Sequence, residues 1–216
     1  MMDELELLKK DWQKKEEHLP KLSYNEIYTM IWKKSSSIVK WILIISILEI
    51  VLPHLLYLIP SMQDGLDFYE EAGVTSYFLG FSIFYYVGVA YFIFQFYRNY
   101  KEISALDNAK NLMRRIIKTR KTVKYYVIFS LSMCFSMFVI LAFLIYFNDD
   151  FILSFQETTA KAKEINIDKI RTAVLWTLII GGIIFTAVLG AIYFLLYGLL
   201  LRKLNRNYAD LKKLEI

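Results

Sequence analysis

Glu49 is the residue whose type and position most suggest chemistry. It lies near the middle of an apolar stretch, Ile38–Ile59, where a carboxyl costs roughly 2.5 kcal/mol or more to insert into hydrocarbon. A carboxyl at that depth has to face other helices, where it can relay a proton, couple to an ion or tie helices together. No basic residue lies at comparable depth to pair with it, but Ser46 shares its helical face and tyrosines or Gln95 from other stretches can donate hydrogen bonds. A carboxyl used only for packing is the competing reading. His54, behind Pro53, is about 140° round the helix from Glu49, so the two form no local pair. His18 and His54 are the only histidines, and a membrane thickness would separate them, so no metal site and no cofactor are expected. Gly-rich phosphate loops, nucleophile elbows and paired-cysteine sites are absent, which argues against an enzyme. Cys134, the single cysteine, allows no intramolecular disulfide and is expected to behave as a small hydrophobe.

The element that holds Glu49 is one of four long apolar segments. The chain has 216 residues, 56% of them apolar and 17% aromatic. A soluble helical domain of that size cannot bury four apolar runs of about twenty residues. The spans are expected at Ile38–Ile59, Ser76–Tyr97, Tyr125–Phe147 and Thr172–Leu201, each long enough as a helix to cross about 30 Å of hydrocarbon. The fourth is longer than needed and is expected to tilt or to run on past the membrane. A cleaved signal peptide is not expected, because the first 37 residues are charge-rich and the first apolar run is too long.

Charge supplies the orientation. All of the 26 lysines and arginines except Lys161, Lys163, Lys169 and Arg171 fall in or beside the N-terminal arm 1–37, the connection 98–124 and the tail 202–216. The first outer loop carries Asp64, Asp67, Glu70 and Glu71 and no basic residue. By the positive-inside rule both termini and the 98–124 connection are cytoplasmic. The expected fold is therefore all-α, a polytopic membrane protein of four transmembrane helices in two tandem hairpins, with cytoplasmic amphipathic helices and one membrane domain over 38–201. Nucleic acid is not needed to explain the charge. The run Arg114, Arg115, Lys118, Arg120, Lys121 and Lys124 faces anionic lipid headgroups instead, each charge worth about 1 kcal/mol near such a surface.

Several segments next to the spans also read as helix. Residues 3–17 put Leu5, Leu8 and Trp12 on one face before Leu19-Pro20 ends the run. Ser23-Tyr24-Asn25-Glu26 has the capping-box pattern, and the helix behind it aligns Tyr24, Ile27, Tyr28 and Ile31. That helix either rests in the headgroup plane or packs on the protein's own inner segments. Ser104–Asp107 is a further expected cap, with Leu106, Ala109, Met113 and Ile116 forming an apolar seam behind it. Another short helix is expected around Gln156–Glu164 in the second outer loop.

The two halves of the chain are alike. Ile31-Trp32-Lys33-Lys34 through Val39-Lys40-Trp41-Ile42 matches Ile116-Ile117-Lys118-Thr119 through Val123-Lys124-Tyr125-Tyr126 with one gap, and Arg98-Asn99-Tyr100 matches Arg206-Asn207-Tyr208. Both halves would enter from the same side, which makes the repeat parallel. Gly182, Thr186 and Gly190, with Gly198 beyond, and Gly80 with Gly88 have the spacing that lets helices approach closely, within the bundle or between copies in a homo-oligomer. Phe81, Phe84, Tyr85, Tyr91 and Phe92 either pack or line a quinone or carotenoid pocket.

The opening Asp3-Glu4-Leu5-Glu6-Leu7-Leu8-Lys9-Lys10-Asp11-Trp12, the segments Lys33–Trp41 and Lys118–Tyr126, and the tail Asn205-Arg206-Asn207-Tyr208 resemble a family of small four-span bacterial inner-membrane proteins. Its members often bear a beta-carotene monooxygenase label. The sequence lacks the histidines with which carotenoid-cleaving enzymes hold iron, and the resemblance carries no catalytic residue across. The expected function is a non-enzymatic scaffold or regulator in a bacterial inner membrane that presents basic cytoplasmic helices to a protein partner, in its sharper form an anti-sigma-like tether. The alternative is a small transporter or proton- or ion-coupled protein that uses Glu49. A membrane oxygenase acting on a carotenoid-like lipid comes third.

Overall fold

A computed structural model describes residues 23–56, 58, 75–104, 108–148 and 166–214. Every regular element among them is an α-helix: α1 Tyr24–Leu56, α2 Thr75–Ser104, α3 Ala109–Phe147 and α4 Ile167–Leu214. The expected 3–17 and 156–164 helices, His18, the acidic residues 64–71 and Leu106 lie outside the described residues. All four helices are long and apolar enough to cross a membrane. Hydrocarbon offers the backbone no hydrogen-bond partner, so a lipid-exposed segment closes its own bonds as a helix.

Local chemistry sets where the helices begin. Ser23 N donates to Glu26 Oε2 at 2.7 Å while Glu26 N donates back to Ser23 Oγ at 3.3 Å, so the capping box forms. Asn108 caps α3, its side chain accepting from Lys110 N at 2.9 Å, one residue beyond the Ser104–Asp107 segment expected to cap it. Asn166 does the same for α4 through Asp168 N at 2.9 Å. The segment after Ser23 does not turn between an in-plane helix and a span. It continues without a break as α1, and α4 likewise runs for 48 residues, roughly 72 Å.

The helices form a bundle in which α1–α2, α2–α3, α3–α4 and α4–α1 pack as neighbours, α3–α4 most extensively. Neighbours run antiparallel. Trp32 Nε1 of α1 donates to the Ile103 carbonyl of α2 at 2.7 Å, whereas His54, further along α1, meets Tyr86, earlier in α2. Arg120 of α3 reaches Asn205 of α4, and Gly182 lies against Phe138.

Two kinds of packing share the bundle. At one end, Ile31, Val39, Ile103, Ala109, Leu112, Ile116, Leu204 and Leu211 form a buried core, with Tyr28 and Trp32 packed against it. Lys33, Lys34, Lys101, Lys110, Arg114, Lys203 and Lys213 are exposed around this basic end. Burying each Leu or Ile there, out of water, is worth about 1.5–3 kcal/mol. Beyond it the pattern inverts. Only 6 to 17% of each apolar window is buried, and Leu52, Phe84, Val87, Ile184, Phe194 and Leu195 point outward. Apolar side chains facing away from the core need lipid as solvent, so the four helices belong to a multi-pass membrane protein.

Burial repeats along the chain as the sequence does. Ser35, Val39, Ile42 and Ser46 of α1 and Thr119, Val123, Tyr126 and Ser130 of α3, each 84 positions on, are all buried. So are Val89, Phe96, Asn99 and Ile103 of α2 and Tyr197, Leu204, Asn207 and Leu211 of α4, each 108 on. The Arg-Asn-Tyr asparagines both donate to hydroxyls, although the two acceptors are not at positions that the repeat pairs. Asn207 Nδ2 donates to Ser35 Oγ at 3.0 Å, and Asn99 Nδ2 to Thr122 Oγ1 at 3.4 Å.

The glycines differ in their surroundings. A Cβ on Gly182 would sit 2.9 Å from Phe138 Cβ, and one on Gly88 would sit 2.2 Å from Phe129 Cζ, whereas one on Gly80 meets nothing within 4 Å. Gly182→Ala should therefore destabilise the bundle by about 1–3 kcal/mol, while Gly80→Ala changes it by about 0.5 kcal/mol or less. Unfolding of the purified protein in mixed micelles, followed by circular dichroism, checks this, and equal effects would contradict the packing.

Candidate functional site

Glu49 is half-buried in α1, with its carboxylate held by three tyrosines from two other helices. Tyr126 of α3 donates its hydroxyl to Glu49 Oε2 in a short bond. Tyr197 of α4 donates to Oε1 at 2.9 Å, and Tyr193, one turn away, donates to Oε2 at 3.5 Å. Four-residue spacing puts both α4 tyrosines on one helical face. The site draws together residues 77 to 148 positions apart.

Ring packing fixes the donors. The Tyr126 ring meets Phe96, Phe92, Tyr197 and Tyr193 with centroids 5.5 to 6.4 Å apart and steep interplanar angles. Edge-to-face packing of this kind adds about 0.5–1.5 kcal/mol per pair. Tyrosine suits the place because its ring packs as a hydrophobe while its hydroxyl satisfies a buried acceptor. Among the described residues no lysine or arginine pairs with Glu49, so donated hydrogen bonds take the place of a counter-charge.

The other expected polar residues lie elsewhere. Gln95 donates to Tyr91 at 2.9 Å rather than to Glu49. Ser46 is buried on the Glu49 face, but its hydroxyl donates back to the Leu43 carbonyl at 2.8 Å. His54 sits 2.7 Å from the Tyr86 hydroxyl through Nε2, with Nδ1 2.6 Å from the Ile50 carbonyl. Thr186 faces Cys134 at 3.8 Å. The suggested aromatic pocket does not come together, because Phe84 and Tyr91 point outward while Phe92 packs on Tyr126 and Phe129. Phe81 and Tyr85 line a separate cavity of about 250 Å³ with Ser130, Met133 and Tyr193. Among the described residues, no three His, Cys, Asp or Glu converge as a metal site.

The basic run on α3 divides. Arg115 makes a short ion pair with Glu102 of α2, which Arg98 and Lys118 also approach at 3.7 and 3.9 Å. Arg120 turns toward α4 and donates to Asn205 Oδ1 at 2.7 Å. Arg114, Lys121 and Lys124 are exposed.

The repeat sharpens the picture of Glu49. Shifted by 84 positions Glu49 corresponds to Met133, and Tyr126 corresponds to Ile42. Shifted by 108, Tyr197 corresponds to Val89, and only Tyr193 keeps its type, matching Tyr85. The buried frame matches from half to half, whereas the carboxyl and two of its three donors occur once.

The buried bonds predict stability. Glu49→Ala leaves the tyrosine hydroxyls without their acceptor and should cost about 1–3 kcal/mol. Glu49→Ala combined with Tyr197→Phe should cost less than the sum of the two single changes, by about 1 kcal/mol. Micelle unfolding of the three variants checks this, and strict additivity would show that the two side chains do not interact.

The family description "Domain of unknown function (DUF8845)" matches residues 25–216. No curated protein and no solved structure matches the chain.

Proposed function

The chain belongs to the DUF8845 family, a domain of unknown function, so its role has to come from its own geometry, and we propose that it is a non-enzymatic regulator or scaffold of a bacterial inner membrane. Its basic end is the cytoplasmic one, with both termini inside, since that end gathers the cations of α1, α2, α3 and α4. Four spans then form two tandem hairpins, α1–α2 and α3–α4, related by a parallel repeat whose matched burial supports a duplication. In this reading the membrane domain covers 38–201, and the basic helical ends carry the contact with a protein partner.

The observation that carries the proposal is the basic end itself. The helices do not stop at the apolar boundary. They run on together and enclose a core of their own, which makes a stiff, charged head rather than loose tails. A rigid helical surface suits recognition, because little ordering cost remains to be met on binding. Photo-crosslinkers at Lys110, Arg114 and Lys203, placed in the full chain in native membranes, should each capture the same discrete protein, while crosslinkers at outward-facing Phe84 and Phe185 should not. No protein adduct at the head, or the same adducts at all five positions, would overturn the proposal. In a Cys134→Ser background, cysteines at 110 and 212 should resist an impermeant maleimide until the cells are opened. Labelling of intact cells would reverse the orientation.

The Glu49 cluster favours a second reading, a proton- or ion-coupled protein, because a carboxyl near the centre of a span has a protonation state that three helices feel. Glu49→Gln should then abolish proton flux in proteoliposomes while retaining helix content. Wild-type vesicles no leakier than protein-free ones would reject this reading.

A further inference from the structure

A groove of about 570 Å³ lies between α3 and α4 beside the Glu49 cluster. Its apolar wall comes from Val123, Val127 and Ile128 of α3 and from Phe194 and Leu201 of α4, with Gly190 and Gly198 leaving it open. Tyr193 and Tyr197, the two α4 tyrosines that hold Glu49, line it as well. Arg120, Lys121 and Lys124 stand along its basic end. Arg120 is fixed there by Asn205, and Arg202 lies over the Phe194 ring at 5.6 Å.

We propose that this groove binds one anionic phospholipid, its phosphate on Arg120, Lys121 and Lys124 and an acyl chain along Gly198 and Gly190. Charge and length together select this occupant. The distance along the helix axis from residue 117 to 128 on α3, or from 190 to 201 on α4, is roughly 17 Å, close to the hydrocarbon of a single leaflet at about half of 30 Å. A volume of about 570 Å³ lies within the ~300–1,000 Å³ typical of ligand sites. Three cations gathered at one end suit a phosphate rather than a zwitterionic head, whose own cation they would repel. Neither glycine is required by helix contact. A Cβ on Gly190 would meet Leu131 at 3.7 Å and one on Gly198 would meet Phe194 at 3.7 Å, both ordinary contacts, unlike the crowding at Gly88 and Gly182.

The repeat supplies a comparison within the chain. The matching positions on α1 are Ser36, Ser37 and Lys40, so two of the three groove cations occur only on α3. Arg115 and Lys118 belong to the same basic run but are spent on Glu102. The sequence shows one patch of six cations, whereas the structure divides it into a pair that holds α2, a trio that serves the groove and Arg114, which is exposed. A lipid seated here would press on Tyr193 and Tyr197 and so bear directly on the tyrosines around Glu49.

The test reconstitutes the full chain in phosphatidylcholine vesicles containing phosphatidylglycerol, and spin-labelled versions of each lipid report the motionally restricted fraction. Wild-type protein should favour phosphatidylglycerol by about tenfold. Arg120→Gln, Lys121→Gln and Lys124→Gln together should bring that preference within about twofold of unity, and Arg115→Gln with Lys118→Gln should leave it. Gly190→Leu with Gly198→Leu fills the groove, keeps every charge and should also abolish the preference. Equal binding of both lipids by wild type would overturn the site, as would a filled groove that keeps its selectivity, which is the mark of diffuse surface attraction. Displacement by a long-chain fatty acid as effectively as by phosphatidylglycerol would overturn the phospholipid as occupant. A wild-type measurement covers variants that fail to fold: phosphatidylglycerol with a photoactivatable acyl chain should label 123–128 and 190–201. Even labelling of outward-facing Leu52, Ile83 and Phe84 would refute the groove.

Discussion

Hydrocarbon satisfies no hydrogen bond, and the placement of polar groups in this protein follows from that. Glu49 is the most demanding case. A carboxyl this far into an apolar helix has to find donors on the protein, and it finds them on Tyr126, Tyr193 and Tyr197. Those bonds set the rotation of α1 about its axis, because Glu49 has to point at α3 and α4. Ser46, on the same face, is carried into the interior with it. Some lesser polar groups meet the same requirement locally, as when Thr177 Oγ1 donates to the Ala173 carbonyl at 2.8 Å.

Water imposes a different requirement at the basic end. There the hydrophobic effect operates, and a buried cluster of Ile, Leu and Val inside a charged surface holds the four helices together. In the apolar zone burial of side chains away from lipid gains little, and shape, aromatic packing and hydrogen bonds have to serve. Gly182 against Phe138 and Tyr126 among its four aromatic neighbours are what that substitution looks like. Each helix runs through both zones without a break.

The four apolar helices were legible from hydropathy, because lipid exposure leaves long uninterrupted runs. The Ser23–Glu26 cap was legible because its chemistry is local. The continuity of α1 through residues 33–40 was not, since a cluster of lysines and serines before an apolar run reads equally as a turn from an in-plane helix into a span. Glu49 stood out by type and depth. Its partners did not, because the register between α1 and α4 depends on side-chain fit across 148 positions, and the sixteen tyrosines give little reason to choose among them. One signal was available: Tyr193 and Tyr197 lie four apart in the apolar stretch 187–201 of α4, which puts two hydroxyls on one face. Gln95 was a reasonable donor by type, but it lies beside Tyr91 on its own helix. The split of the basic run between Glu102 and the groove also needed the structure, since the six cations look equivalent along the chain.

Matched burial between the two halves gives a frame, and departures from the match mark where the halves differ. Glu49 against Met133, Tyr126 against Ile42 and Tyr197 against Val89 cluster at one place. The groove cations lie on the helix that supplies Tyr126, and the groove wall includes the other two tyrosines. One region of the bundle thus carries the only carboxyl near the middle of an apolar span, its donors and the apolar groove between α3 and α4. The most direct measurement is disulfide formation in native membranes of the Cys134→Ser protein. Glu49→Cys paired with Tyr197→Cys should crosslink readily, and Glu49→Cys paired with Leu195→Cys, whose side chain points outward, should not. Equal crosslinking of both pairs, or a preference for position 195, would mean that Glu49 faces somewhere other than the tyrosines.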